Sequence, residues 1–294
     1  MRLSLAVLCL ALAAGLSCLT GYGQGYAGLL TLIVWFLALS VLPERGRQYV
    51  WNAMLWASMA CAVLALVQLP WQDRPRGPFG SPNYLGAFAA VMVLAAWRQR
   101  QKSAALLNLA AVAMSQSRGA LLAVGVGAAI LVYRRARVWA LAAIGVAAIG
   151  AGLLWRPEAR LAVWATGLQI AAQRPLTGWG IGGVEPLAVI DQRLMMLDHF
   201  YSVPLDWLIA TGVLGLAAGV WMAIESWRSG VAEDRAVLAA WIVAGLFLSA
   251  AWPTWLILFV LMADLVGRDK AHRAGVVDHH QPLLNGRVRA LRPE

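Results

Sequence analysis

Arg174-Pro175-Leu176-Thr177-Gly178-Trp179-Gly180-Ile181-Gly182-Gly183 and Asp198-His199-Phe200-Tyr201-Ser202-Val203-Pro204-Leu205-Asp206-Trp207 lie in the one long polar interval of this chain. That interval opens at Trp155 with Arg156-Pro157-Glu158-Ala159-Arg160-Leu161-Ala162-Val163-Trp164 and closes on Thr211-Gly212-Val213-Leu214-Gly215. On both sides the sequence is a succession of apolar runs broken by short charged clusters. Such runs read as membrane-spanning helices, so the polar interval is the part that stands outside the bilayer. Chemistry, if the chain performs any, is expected there.

Composition points the same way. Of 294 residues, 61% are hydrophobic and 13% charged, against about 25% charged in a soluble domain. The apolar runs do not alternate with polar residues, which excludes a β-barrel pattern. The formal charge is +10, from 24 Lys+Arg against 14 Asp+Glu. In a soluble protein this would suggest nucleic acid; here it reads as positive charge gathered on the cytoplasmic side, with no nucleic-acid partner. Cys9, Cys18 and Cys61 sit within apolar runs. Cys9 and Cys18 lie about 13 Å apart along a helix axis, too far to bridge. Neither a disulfide framework nor a metal-ligand cluster is expected. Met1-Arg2 and the apolar run after it read as a first transmembrane helix rather than a cleaved signal.

The fold class expected is an all-α polytopic integral membrane protein of about ten transmembrane helices. The spans fall near 3–20, 26–42, 49–68, 83–97, 103–117, 119–133, 138–154, 204–226, 236–251 and 254–267. Residues 1–68 form an N-terminal helical part and 69–267 the membrane core, with one large extracytoplasmic loop at 155–203 containing an interfacial helix. Residues 268–294 form a basic cytoplasmic tail. With both termini cytoplasmic, 17 of the 24 cations fall inside, including both lysines.

The seven outside are all arginines: Arg74, Arg76, Arg118, Arg156, Arg160, Arg174 and Arg193. The plain reading pairs them with Asp73, Glu158, Glu185, Asp191 and Asp198 in solvated loops. Position argues for more at three of them. Arg76 stands before Ser81-Pro82, a helix start with Ser81 as N-cap and proline at the first position. Arg118 sits at the start of the sixth span, in a turn too short to be a solvated loop. Outward helix N-termini suit anions, and a guanidinium holds them with a fixed fork of donors. Arg160 lies one turn before Trp164 on an amphipathic segment whose apolar face is read as Leu161, Trp164, Leu168 and Ala171. Residues 178–183 read as a flexible turn, and with no strand before it a nucleotide fingerprint is not expected. His199 is the one histidine outside the tail. A lone histidine is more often structural than catalytic, but Asp198 beside it is placed to orient or charge it.

In four places these residues resemble the O-antigen ligase/polymerase superfamily of bacterial membrane glycosyltransferases. Residues 76–84 are similar to its Arg-x-x-Gly-x-Phe-x-Asn-Pro-Asn segment, and 115–120 to its Ser-Arg-Gly-Ala span start. Arg160 to Trp164 with Pro175 to Gly180 resembles its Arg-x-x-x-Trp and Pro-Leu-x-Gly-x-Gly pair. Asp198 to Gly215 resembles its Asp-Arg-Ala-His-Asn-x-x-Leu-Asp segment and Gly-x-x-Gly helix. The similarity covers about residues 70–220. One departure stands out: Tyr201 occupies the position of the family's usual histidine, Ser202 that of its asparagine, and His199 lies two residues earlier.

The resemblance implies metal-independent and cofactor-free transfer of a glycan from a polyprenyl-diphosphate carrier to an acceptor hydroxyl. The acceptor would be a lipid A core, a growing glycan or a protein, at the outer face of the bacterial inner membrane. It implies Arg118, Arg160 and Arg76 as diphosphate-binding residues, and a catalytic group of His199, Tyr201 and Asp198 with His199 as base. The donor, the acceptor and membrane lipids are the implied partners. A non-catalytic carrier or polysaccharide-export partner keeping the same fold is the alternative.

Overall fold

Prolines and one serine set where the first described helices begin. The computed structural model describes residues 38–133, 144, 158–180, 187–190, 193–196, 202–246, 258 and 260–266. Pro43, extended at φ −62° and ψ 161°, precedes α1 (Glu44–Gln68). Ser81 caps α2 (Pro82–Arg98), its side chain accepting from the Asn83 N–H, with Pro82 at the first helical position as expected. α3 (Lys102–Ser115) ends on a left-handed Gln116, which lets α4 (Arg118–Tyr133) start after a two-residue turn. α5 is Glu158–Gln173, α6 Val203–Ser229 and α7 Ala232–Leu246, and residues 260–266 are helical.

The structure is mostly helical, as expected, with one addition. β1 (Leu187–Ile190) and β2 (Arg193–Met196) pair antiparallel, with Ile190 opposite Arg193 and Leu187 opposite Met196. The hairpin adds a short pairing within the 155–203 stretch and leaves the structure mostly helical, in keeping with the all-α class expected. Strands of four residues are too short for alternation to separate them from an apolar helix fragment.

α2 is the central helix: every residue from Leu85 to Ala96 is buried. A helix that is apolar all round belongs inside. It packs on α3, α4 and α7, while α1 lies against α3. The closest pairing joins α4 to α7. Small residues let the backbones approach closely there: a Cβ on Gly127 would lie 3.1 Å from the Ala236 carbonyl oxygen.

One end of this bundle is closed by charge. Arg98, the last residue of α2, donates from Nε to Asp234 Oδ1 at 2.8 Å and from Nη2 to Asp264 Oδ2. Arg47 lies 3.5 Å from the other Asp264 oxygen and donates to the Leu42 carbonyl at 2.7 Å. The Arg98 guanidinium also sits over buried Trp51, 5.2 Å from the ring centroid. Asp234 is 1% exposed and Arg98 15%, so these are not surface pairs. Gln48 donates to Gln99 at this end, and Arg235 donates to the Trp227 carbonyl. The described cations of the expected cytoplasmic set, from Arg45 and Arg47 to Arg228 and Arg235, therefore gather at one end.

Two helices, Glu44–Gln68 and Val203–Ser229, are long and apolar enough to cross a membrane. The second is two segments, because Gly212 is non-helical at φ 65° and ψ −168°. The Trp207 ring packs against Gly219, although a straight helix would hold those positions about 18 Å apart. α6 is thus sharply bent. α2, α3, α4 and α7 run 17, 14, 16 and 15 residues, about 21–25 Å each and shorter than a 30 Å hydrocarbon core. The expected spans at 3–20 and 138–154 lie outside the described residues, apart from Ile144.

Removing one partner of a buried pair strands the other charge, at about 3–5 kcal/mol. Arg98→Ala strands the buried Asp234, leaves Asp264 with Arg47 alone, and is expected to lower the thermal midpoint of the detergent-purified protein far more than Arg228→Ala. Arg228 is 64% exposed, and such a pair contributes about 0–1 kcal/mol. Equal losses in the two variants would show that the cluster does not hold the bundle together.

Candidate functional site

At the opposite end of the bundle the turn between α1 and α2 meets the start of α4. Gln68, the last residue of α1, holds this turn through three bonds. Its Oε1 accepts from the Arg76 N–H at 3.0 Å and the Gly77 N–H at 2.8 Å, and its Nε2 donates to the Gly77 carbonyl. The Arg76 backbone is fixed while its side chain stays exposed. Arg74 reaches across: Nε and Nη2 both donate to the Ser115 carbonyl, at 3.1 and 3.0 Å, and Nη2 donates to Asn83 Oδ1 at 3.0 Å.

The effect of Arg74 is electrostatic as well as structural. Ser115 is the C-terminal residue of α3, where unpaired carbonyls carry partial negative charge. The guanidinium cancels that pole. What remains at the corner is the N-terminus of α2, the N-terminus of α4 with half-buried Arg118 as its first residue, and the Arg76 side chain. Asp73 is the carboxylate of the same turn; its side chain is exposed, and its backbone carbonyl accepts from Gln116. Arg74 was read as pairing with an acid. Its partners are instead a carbonyl and an asparagine, which no pattern of charges in the sequence reveals.

The second half of the site is built on the break in α6. Unwinding at Gly212 leaves backbone groups of both segments without helical partners, and the loop after α5 supplies them. Trp179 N–H donates to the Ile209 carbonyl at 2.8 Å and Gly180 N–H to Ala210 at 2.9 Å; Val213 N–H donates to Pro175 at 2.8 Å and Leu214 N–H to Leu176 at 3.4 Å. In an apolar medium each unmet group would cost several kcal/mol. The contact is backbone to backbone, and that explains the glycines. A methyl on Gly178 would overlap the Ala210 and Ile209 backbone, and one on Gly212 would overlap Leu176 and Thr177. Residues 178–180 are therefore not the flexible turn expected from their composition. Their glycines, with φ of 70° and 92° at Gly178 and Gly180, permit a tight interlock.

α5 packs on the outer segment of α6 through Val163 and Ala171 against Leu205 and Ile209. Its buried face thus differs from the one expected. Leu161 and Leu168 are 55% and 56% exposed, because Val163, Gly167 and Ala171 are small enough to bring α5 close to α6. The exposed leucines leave an apolar stripe suited to the headgroup–acyl boundary, in keeping with an interfacial helix. Arg174 stacks on Trp179, 4.3 Å from the ring centroid, and the Trp179 indole donates to Ile170 at 3.0 Å.

Of the expected site residues, the structure brings Arg76 and Arg118 to one corner. Arg160 falls in the first turn of α5, whose packing partners are α6 and β1 rather than the helices carrying Arg76 and Arg118. The Arg160 side chain, Asp198, His199 and Tyr201 lie outside the described residues. No group of acidic, histidine and cysteine side chains able to hold a metal occurs among the described residues. No protein-family model matches the chain, and no curated protein matches it.

Gly212 occupies a backbone region that glycine alone populates readily. Gly212→Ala and Gly178→Ala are expected to abolish recovery of monodisperse protein by size-exclusion chromatography. Gly80→Ala is the control, because Gly80 has φ of 69° but open space around it. That change should cost only about 1–2 kcal/mol. Normal recovery of all three would rule out the interlock.

Proposed function

We propose that the chain is a multi-pass membrane glycosyltransferase. It moves a glycan from a polyprenyl-diphosphate carrier to an acceptor hydroxyl at the outer face of a bacterial inner membrane. The observation that supports this most is the arginine corner. Two helix N-termini and the Arg76 and Arg118 side chains share it, and Arg74 offsets the C-terminal end of α3. A departing diphosphate develops negative charge, and preorganised cationic donors stabilise it without moving a proton. Arg160 would join from α5 on binding. His199 takes the acceptor proton as base, Asp198 orients it, and Tyr201 positions the hydroxyl.

A carrier that keeps the fold without the chemistry is the second reading, and the broken α6 is the feature in its favour. Transporters use unwound backbone to coordinate their cargo. Here the groups freed at Gly212 are taken by residues 175–180 of the same chain, which leaves them unavailable to a solute. The break therefore supports a fixed site more than a transport path.

Transfer should be assayed with lipid-linked donor and acceptor in proteoliposomes. Arg118→Ala and Arg160→Ala are each expected to lower the rate by about 100-fold or more, the scale of one lost donor to a developing anion. Arg118→Lys should recover little, since a point charge lacks the fork. Arg174→Ala should stay within a few-fold of wild type. Equal loss at Arg174 would point to general disruption of the loop.

The base has its own test. Histidine titrates near pH 6.5 in the unperturbed state and acts as a base only when neutral. The rate should therefore fall as pH drops through that value, and a nearby Asp198 carboxylate would move the fall to higher pH. His199→Ala is expected to cost about 100-fold or more and Tyr201→Phe less than tenfold. Full activity in His199→Ala would overturn the assignment.

A further inference from the structure

A cavity that the transfer reaction does not use runs between α6, α7 and the helix at residues 260–266. Its volume is about 440 Å³, within the roughly 300–1,000 Å³ of small-molecule sites. The lining is apolar almost throughout, with Val220, Ala223 and Ile224 of α6 facing Leu238 and Ile242 of α7 and Met262. Arg228 is its one charged lining residue, and it lies at one end beside Trp227.

The two ends differ, and the difference decides what fits. At the far end the bend in α6 folds its first segment across the groove. The Trp207 ring rests against Gly219, and Val203 packs against Gly245. From Gly219 to Arg228 the helix rises about 14 Å, close to half of a 30 Å hydrocarbon core. The groove is therefore one leaflet deep and capped at its inner limit by aromatic surface. A chain can enter with its head only at the Arg228 end.

That end carries two guanidinium groups. Arg228 Nη1 donates to Glu225 at 3.0 Å, and the Arg228 side chain is 64% exposed. Arg235 Nε donates to the Trp227 carbonyl at 2.8 Å, and its guanidinium carbon lies 5.8 Å from the Trp227 ring. The neighbouring acids are Glu225, Asp234 and the exposed Glu233. Asp234 is occupied by Arg98 and by the Val231 N–H. Tryptophan at headgroup depth flanked by arginines, above a leaflet-deep apolar slot, matches an anionic phospholipid of the leaflet on that side.

We propose that this groove binds one acyl chain of an anionic phospholipid, with its phosphate held by Arg228 and Arg235. The site is separate from the donor corner at the opposite end of the bundle and independent of the transfer chemistry.

The test uses the full chain purified in nonionic detergent. It is examined by native mass spectrometry with phosphatidylglycerol and with phosphatidylcholine of the same acyl composition. One phosphatidylglycerol should be retained, at least tenfold more than phosphatidylcholine. Arg228→Gln with Arg235→Gln should remove that preference. Ala223→Trp should abolish retention of both lipids while leaving the arginines in place, with Ile242→Trp as the filling variant from the α7 side if the first unfolds. Equal retention of the two lipids by the wild type would overturn the headgroup assignment. Undiminished retention in a folded filling variant would overturn the groove. Displacement of phosphatidylglycerol by a polyprenyl diphosphate, unaffected by the arginine changes, would assign the slot to the donor lipid instead.

Discussion

The contact on which the bundle depends is Arg98 between two carboxylates. Its fork reaches Asp234 at the start of α7 and Asp264 in the last described helix, while Trp51 of α1 covers its face. Helix polarity makes the arrangement asymmetric. Arg98 at a C-terminus and Asp234 at an N-terminus are each favoured by the local dipole, whereas Arg47 in a first turn is not. Arg47 is instead held by Asp264, which Arg98 also reaches. Burying four ions costs several kcal/mol apiece, offset only because two cations meet two anions in hydrogen-bonding geometry. The cluster thereby specifies which helix ends come together more than it adds stability.

With that end tied, the opposite ends of α1 to α4 are brought to a common level, and there Arg74, Arg76 and Arg118 gather. Arg74 is spent on a helix C-terminus. Its neighbours Arg76 and Arg118 are left beside two positive helix ends. The anion-binding role proposed for this corner rests on that gathering of guanidinium groups beside two helix N-termini.

The outer segment of α6 forms a small second core with α5, set apart from the main bundle. Val203 against Gly245, Trp207 against Gly219 and the interlock at Gly212 link it to the rest. The bend has two consequences. It turns the 175–180 loop into a structural strut, and it roofs the lipid-sized groove between α6 and α7. A straight α6 would supply neither.

The sequence alone was enough for the elements whose cause is local. Apolar runs marked α1 to α4, α6 and α7 to within a few residues, Ser81-Pro82 marked the start of α2, and cation placement marked which helix ends share a side. It also singled out Arg76 and Arg118 as cations without an obvious reason to be where they are. What it could not carry were the facts that depend on a partner distant along the chain. Arg98 and Asp264 are 166 positions apart, and nothing near either residue announces the pairing. Arg47 and Arg98 counted simply as positive charges on one side until tertiary packing placed carboxylates against them. Gly178 read as part of a flexible turn and is a close contact, because a methyl group there would have no room against the Ile209 and Ala210 backbone. The exposed Leu161 and Leu168 follow the same rule. Periodicity reveals that a helix has an apolar face, but the size of the side chains across the interface decides which face is buried.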